Sequence, residues 1–264
     1  MIDLEQLGKK VCELVHQTAE MIRTERESFE IEIKGQSDFV TSIDKMSEKK
    51  LVAGLSMLLP ESGFIAEEGT SQKVGNVYNW IIDPIDGTTN FIHNVAPYAI
   101  SVALMRGKTL VMGIVYEIVH NEMFYAHENS AAFLNGCEIS VSKNFTHQQA
   151  LVATGFPYTN FDKIDKYFEA MRELMEKTSG IRRPGSAATD LCYIACGRYD
   201  AFWEYGLHAW DVAAGAFIVQ QAGGRVCDFN GSNTYINNGN IIACNAEYFD
   251  KFYEIVNRHL GENE

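Results

Sequence analysis

The run Trp80-Ile81-Ile82-Asp83-Pro84-Ile85-Asp86-Gly87-Thr88-Thr89-Asn90-Phe91 carries the chemistry that the rest of the chain must serve. A strand-like apolar stretch ends in two carboxylates three residues apart, and a glycine and two hydroxyls follow at once. Hard oxygen ligands beside a tight turn suit divalent magnesium and a phosphate ester. Gly87 lets the chain turn with its amides exposed, so Gly87-Thr88-Thr89 could bind phosphate through backbone N–H groups at a helix start. A proline turn with a capping aspartate is the competing reading of this segment taken alone.

Other acidic residues sit where elements start or stop. Asp38 and Asp44 bracket the entry to a helix, Glu67 and Glu68 follow a short strand, and Asp211 opens an unusually apolar helix after His208-Ala209-Trp210. Singly, each has an ordinary explanation: Asp44 as a first-turn aspartate, Asp211 as an N-cap, Glu67-Glu68 as a solvated loop. Together they demand cations, because carboxylates that converge in a fold are costly without countercharge. No histidine pair favours zinc, and an all-oxygen set favours Mg2+ or Mn2+. There is no Walker loop, and the Asp-x-Asp start of aspartate-based phosphatases is missing.

The elements that must position these groups follow from periodicity. Leu4, Leu7, Val11, Leu14, Val15, Thr18, Ala19 and Ile22 recur at helical spacing, and Phe29, Ile31 and Ile33 alternate like a half-buried strand. Thr41 or Ser42 caps a second helix, with Asp44 or Lys45 at its third position, and Pro60 closes it. Short strands are expected at 64–66 and 80–82, and a hairpin from 98–105 and 110–116 around Arg106-Gly107-Lys108. Residues 1–145 therefore read as an α+β half, with helices against an antiparallel sheet, that binds metal and phosphate. In residues 146–264, strand candidates at 150–154, 181, 199–203, 225–227 and 241–244 alternate with helices near 161–177, 186–196, 211–222 and 246–259. That is a layered α/β half completing the substrate pocket, with the active site expected at the seam.

Composition narrows the partners. A chain of 264 residues, 46% hydrophobic and 22% charged, can bury a substantial core. A formal charge of −13 argues against a nucleic-acid backbone as partner, yet permits an anionic substrate where metal ions reverse the local potential. No apolar run approaches the roughly 18 residues of a membrane span, and the N-terminus lacks a signal-peptide pattern, so a cytoplasmic protein without membrane contact is expected. The six cysteines show no disulfide rhythm and no completed soft-metal set, which predicts reduced thiols.

With these residues in hand, the chain resembles the inositol monophosphatase family of the lithium-sensitive, magnesium-dependent phosphatases. The likeness rests on residues 80–91, on 204–215 continuing to Ala222-Gly223-Gly224, and on Asp38-Phe39-Val40-Thr41, Ala66-Glu67-Glu68 and Gly185-Ser186-Ala187-Ala188 in the same order. The resemblance implies a five-layer αβαβα sandwich, a homodimer, and two to three Mg2+ ions. It places Glu67, Asp83 and the Ile85 carbonyl on one ion, Asp83, Asp86 and Asp211 on a second, and Glu67 with water on a third. Asp44 and Thr88 would activate the attacking water, and the Gly87 and Thr88 amides would receive the phosphate. Ser186, Ala187 and Glu204 would line the polyol pocket beside Asp86, with Lys34 as a flap contact. The implied substrate is a small-molecule phosphomonoester, an inositol monophosphate or related sugar or polyol phosphate. 3′-Phosphoadenosine and fructose bisphosphate are alternatives, as is a regulatory protein-interaction role in transcription or ribosome maturation.

Overall fold

Three stripes of apolar side chains decide the layering. The computed structural model describes residues 2–26, 30–35, 38–144, 146–158 and 160–262. Among them α1 (Leu4–Glu25), capped by Asp3, is followed by an antiparallel pair, β1 (Ile31–Gly35) and β2 (Asp38–Thr41), and by α2 (Ser42–Leu58). A seven-stranded sheet comes next: β3 (Gly63–Ala66), β4 (Tyr78–Asp86), β5 (Ala99–Arg106), β6 (Thr109–Glu117), β7 (Glu122–His127), β8 (Ala132–Leu134) and β9 (Cys137–Ile139), interrupted after β4 by the short helix α3 (Thr88–His93). The strands stand in chain order, as short hairpin links dictate. The expected antiparallel sheet needs one correction: β3 runs parallel to β4, because the segment 67–77 between them carries the chain back to the end where β3 began.

The C-terminal part forms a second sheet, ordered β11-β10-β12-β14-β13. Its strands are β10 (Leu151–Thr154), β11 (Gly180–Arg182), β12 (Ala201–Tyr205), β13 (Arg225–Cys227) and β14 (Asn240–Cys244). Between them lie α4 (Ile164–Lys177), α5 (Ala187–Ala195), α6 (Ala209–Gln221) and α7 (Tyr235–Asn238), and α8 (Phe249–Leu260) follows.

Period-two alternation sorts each strand between layers. On β4, Trp80 and Ile82 pack with α1 and α2, whereas Ile81 faces α5 and α6. On β12, Phe202 joins that central layer, whereas Trp203 and Tyr205 pack beneath α4 and α8. The order is therefore helices α1 and α2, seven-stranded sheet, α5 and α6, five-stranded sheet, α4 and α8: the αβαβα sandwich. The central helices are apolar nearly all round because both their faces meet a sheet; α6 buries every residue from Val212 to Val219. No helix among the described residues is long and apolar enough to cross a membrane.

Candidate active site

A bulge in β4 brings the first two carboxylates together. In a regular strand, residues three apart point to opposite faces. Here Asp83 pairs with Ser101 and Asp86 with Ala99, so β4 spends three steps where β5 spends two. The extra residue flips the parity and returns Asp86 to the side of Asp83. Pro84, which has no N–H to give a ladder, is tolerated at such a break. The Asp83 Oδ1 accepts the Ile85 N–H at 2.9 Å and holds the bulge. Both motif readings are thus combined: the proline breaks the strand, and the break delivers two converging carboxylates.

Asp211 joins them from the first turn of α6. It is not the N-cap; His208 occupies that position, and its N–H donates to Asp211 Oδ2 at 2.6 Å. One carboxylate oxygen from each of Asp83, Asp86 and Asp211 lies within 4.8 Å of the others. Glu67, just past β3, is tied to β4 through its N–H to the Ile82 carbonyl at 3.2 Å. Its carboxyl comes within hydrogen-bonding reach of Asp83, and its Oε2 is buried without a partner. Glu48 of α2, fully buried, fixes that corner by accepting the N–H groups of Glu68 at 2.6 Å and Thr70 at 2.7 Å. Glu67 and Glu68 are therefore no freely solvated loop.

Burial and mutual repulsion of the carboxylates dominate the electrostatics here. Burial first, and the Glu67 charge next, push Asp83 well above the carboxylate range. Burial and Asp211 do the same to Glu67. Burial, with Asp86 beside it, pushes Asp211 up to about 7. Asp86 rises to about 6 through burial, although hydrogen bonds from Ser186 Oγ at 2.5 Å and the Ala188 N–H at 2.8 Å pull the other way. An all-oxygen set, mutually repelling and with an orphaned buried oxygen, fits a hard divalent cation.

Beside the cage stand a hydroxyl and a fourth aspartate. Gly87 has φ 93°, and a Cβ there would sit 3.1 Å from the Gly185 carbonyl and 3.2 Å from that of Pro97, so only glycine fits this turn. Thr88 Oγ1 lies 3.1 Å from the Ile85 carbonyl and 3.5 Å from Asp44 Oδ1. Asp44 Oδ2 accepts the Thr41 N–H at 2.8 Å and its hydroxyl at 2.5 Å, a capping box that resolves the helix start in favour of Thr41. The first-turn aspartate thus borders the cage through Thr88, buried and pushed up to about 6 by desolvation.

The cage opens on a cavity of about 370 Å3 whose lining also includes Ser186, Ala187 and Glu204. The Ser186 hydroxyl is committed to Asp86 and the start of α5, so it braces the metal corner more than it meets the cavity. Of the residues singled out in the sequence, the structure gathers Asp44, Glu67, Asp83, Ile85, Asp86, Gly87, Thr88, Ser186, Ala187, Glu204 and Asp211 around one cavity and its border. The Lys34 side chain lies outside the described residues. Sequence reasoning passed over Glu48, Arg183 and Asp190. A visible signal existed for Glu48, an acid four residues after Asp44 on a helix face otherwise filled by Leu51 and Leu55.

A buried oxygen cage beside a glycine turn and a polar cavity defines a metal-dependent phosphomonoesterase. The sequence matches the profile of the inositol monophosphatase family over residues 3–260, and the chain belongs to that family. It is 42% identical to the Nus factor SuhB of Pseudomonas aeruginosa, over 86% of each chain. To the inositol-1-monophosphatase of Mesorhizobium japonicum it is 36% identical, over 84% of each. Among solved structures, the extragenic suppressor protein suhB of Bartonella henselae superposes with a TM-score of 0.90 at 33% identity, covering 98% of this chain and 100% of that one. The Thermotoga maritima IMPase gives 0.87 at 32%, covering 97% and 98%.

Proposed function

We propose that this chain hydrolyses inositol monophosphates and related polyol phosphomonoesters by direct attack of water. In this reading Glu67, Asp83, the Ile85 carbonyl, Asp86 and Asp211 hold two to three Mg2+ ions, with Mn2+ a workable substitute. The observation that carries it is the converging, buried carboxylate set next to Thr88 and Asp44. Bound divalent ions supply countercharge to the phosphoryl oxygens and make water more acidic. Thr88 orients the nucleophile and relays its proton to Asp44, whose raised pKa makes it a better base near neutrality than an ordinary aspartate. The Gly87 and Thr88 amides receive phosphate oxygens, and Glu204 accepts hydrogen bonds from hydroxyls of the leaving alcohol. A homodimer working in the cytoplasm belongs to the same reading; exposed Phe156 and Phe168, with ring centres 6.5 Å apart, offer it apolar surface.

The test is a panel of myo-inositol 1-phosphate, histidinol phosphate, fructose 1,6-bisphosphate and phosphoadenosine phosphate, with and without Mg2+. The highest kcat/KM should fall on inositol phosphate and vanish with chelation. Equal rates across the panel would overturn the narrow substrate, and turnover in the chelated protein would overturn the cage.

Linkage gives a second expectation. The ordinary value for these aspartates is 3.8, and the folded cluster holds its protons up to about 7 for Asp211. Unfolded carboxyls ionise first, so stability from this cluster is fully present below about pH 4 and is lost as pH rises through about 7. Mg2+ competes with those same protons. The rise in Tm on adding saturating Mg2+ should therefore be negligible near pH 4 and grow steadily to about pH 7; a pH-independent rise would contradict the assignment.

A second reading has one observation behind it: several relatives, including that of Pseudomonas aeruginosa, are named Nus factors. A role in a transcription complex would then accompany catalysis. A partner captured equally by the Asp83→Asn protein would separate the two roles.

A further inference from the structure

We infer that Asp190, with Arg183, forms a second hydroxyl-recognising subsite, which selects phosphate esters of polyols carrying adjacent free hydroxyls. This deepens the phosphatase reading above and rests on it.

Asp190 lies on α5 one turn beyond Ser186 and Ala187, so the helical repeat returns it to the face that lines the cavity. It is the one charged residue of that helix, whose other buried residues are small or apolar apart from Thr189. Its exposure is 1%, and its Oδ1 has no hydrogen-bond partner. A buried carboxyl left unpaired costs on the order of 1–3 kcal/mol or more, which an alanine there would avoid.

The surroundings are shaped for oxygen chemistry. Glu204 lies across the same wall against Gly155, where a Cβ would come within 2.0 Å of Glu204 Oε1, so the missing side chain makes room for a carboxylate. Arg183 stands at the rim, its guanidinium 5.5 Å from the Phe156 ring centre and 5.9 Å from that of Tyr158, with one N–H donating to the Tyr158 hydroxyl at 3.0 Å. A guanidinium has five N–H donors, so most remain for a ligand. Burial and the Glu204 charge push Asp190 above the carboxylate range, while the Arg183 charge opposes them. The three groups are thus electrostatic neighbours.

A hydroxyl is donor and acceptor at once. Two adjacent hydroxyls can donate to Asp190 and Glu204 while accepting from Arg183, which satisfies all three groups. An ester of a monohydric alcohol or a phenol leaves them unpaired in the wall. Sites built on buried hydrogen bonds reject such ligands more strongly than apolar pockets can.

The test compares myo-inositol 1-phosphate with p-nitrophenyl phosphate, whose leaving group has no further hydroxyl, on Asp190→Asn and the unaltered enzyme. The variant should lose roughly tenfold or more in kcat/KM on inositol phosphate, chiefly through KM, and stay within about twofold on the phenyl ester. Should Asp190→Asn not fold, Arg183→Gln at its exposed position carries the same expectation of a selective loss. Equal losses on both esters, or no loss on inositol phosphate, overturn the subsite. An unaltered enzyme that cleaves the phenyl ester but no polyol phosphate overturns the substrate reading along with it.

Discussion

Asp83→Asn is expected to lower kcat/KM by about 3 kcal/mol or more, some hundredfold, the scale at which a catalytic electrostatic group is lost. Asp83 is 2% exposed and comes nearest to being shared by every part of the cage, since it meets Glu67, Asp86 and Asp211. Asparagine keeps the shape and one acceptor oxygen, so the Ile85 N–H retains its partner. It also removes one of several buried like charges. The metal-free variant should therefore melt no lower than the parent at neutral pH while losing both activity and the Tm rise on Mg2+. That combination separates a lost ligand from a damaged fold. Activity within tenfold of the parent would refute the role of Asp83.

Thr88→Ala should cost about 100-fold in kcat, the lower range for a group that positions a proton transfer. The hydroxyl stands between the Ile85 carbonyl and Asp44 Oδ1, and alanine leaves nothing there to hold a water in line. The Mg2+ concentration for half-maximal rate should stay nearly unchanged, because Thr88 contributes no carboxylate to the cage. Thr88→Ser should recover most of the rate, since it restores the hydroxyl and little else. A serine variant as slow as the alanine one would show that the methyl group's packing, not the hydroxyl, matters at this position.

Much of this architecture is legible in the residues. Trp80-Ile81-Ile82 reads as a short strand, and α1 and α2 follow their apolar spacing. What escaped was set by tertiary geometry. The three-residue spacing of Asp83 and Asp86 contradicts a shared face in an ideal strand, and only the bulge resolves it. Pro84 was the available clue. The hairpin of β8 and β9 was also passed over, although Asn135-Gly136 signals it; both residues adopt positive φ, 49° and 83°, as a two-residue turn requires. Asp211 looks like an N-cap because helix starts favour aspartate at several positions, and only the hydrogen bond from His208 puts it at the third. Asp190 reads as one acid in an apolar helix, and nothing local says that the helix is sandwiched between two sheets.

The central claim is that separated stretches of the chain meet to hold divalent ions against a phosphoryl group. Crystals grown with Mn2+ and inorganic phosphate test it directly through anomalous scattering. The expected map shows two strong peaks among Glu67, Asp83, the Ile85 carbonyl, Asp86 and Asp211, with phosphate density over the Gly87 turn. A map with no anomalous signal among those carboxylates at saturating Mn2+ would contradict it.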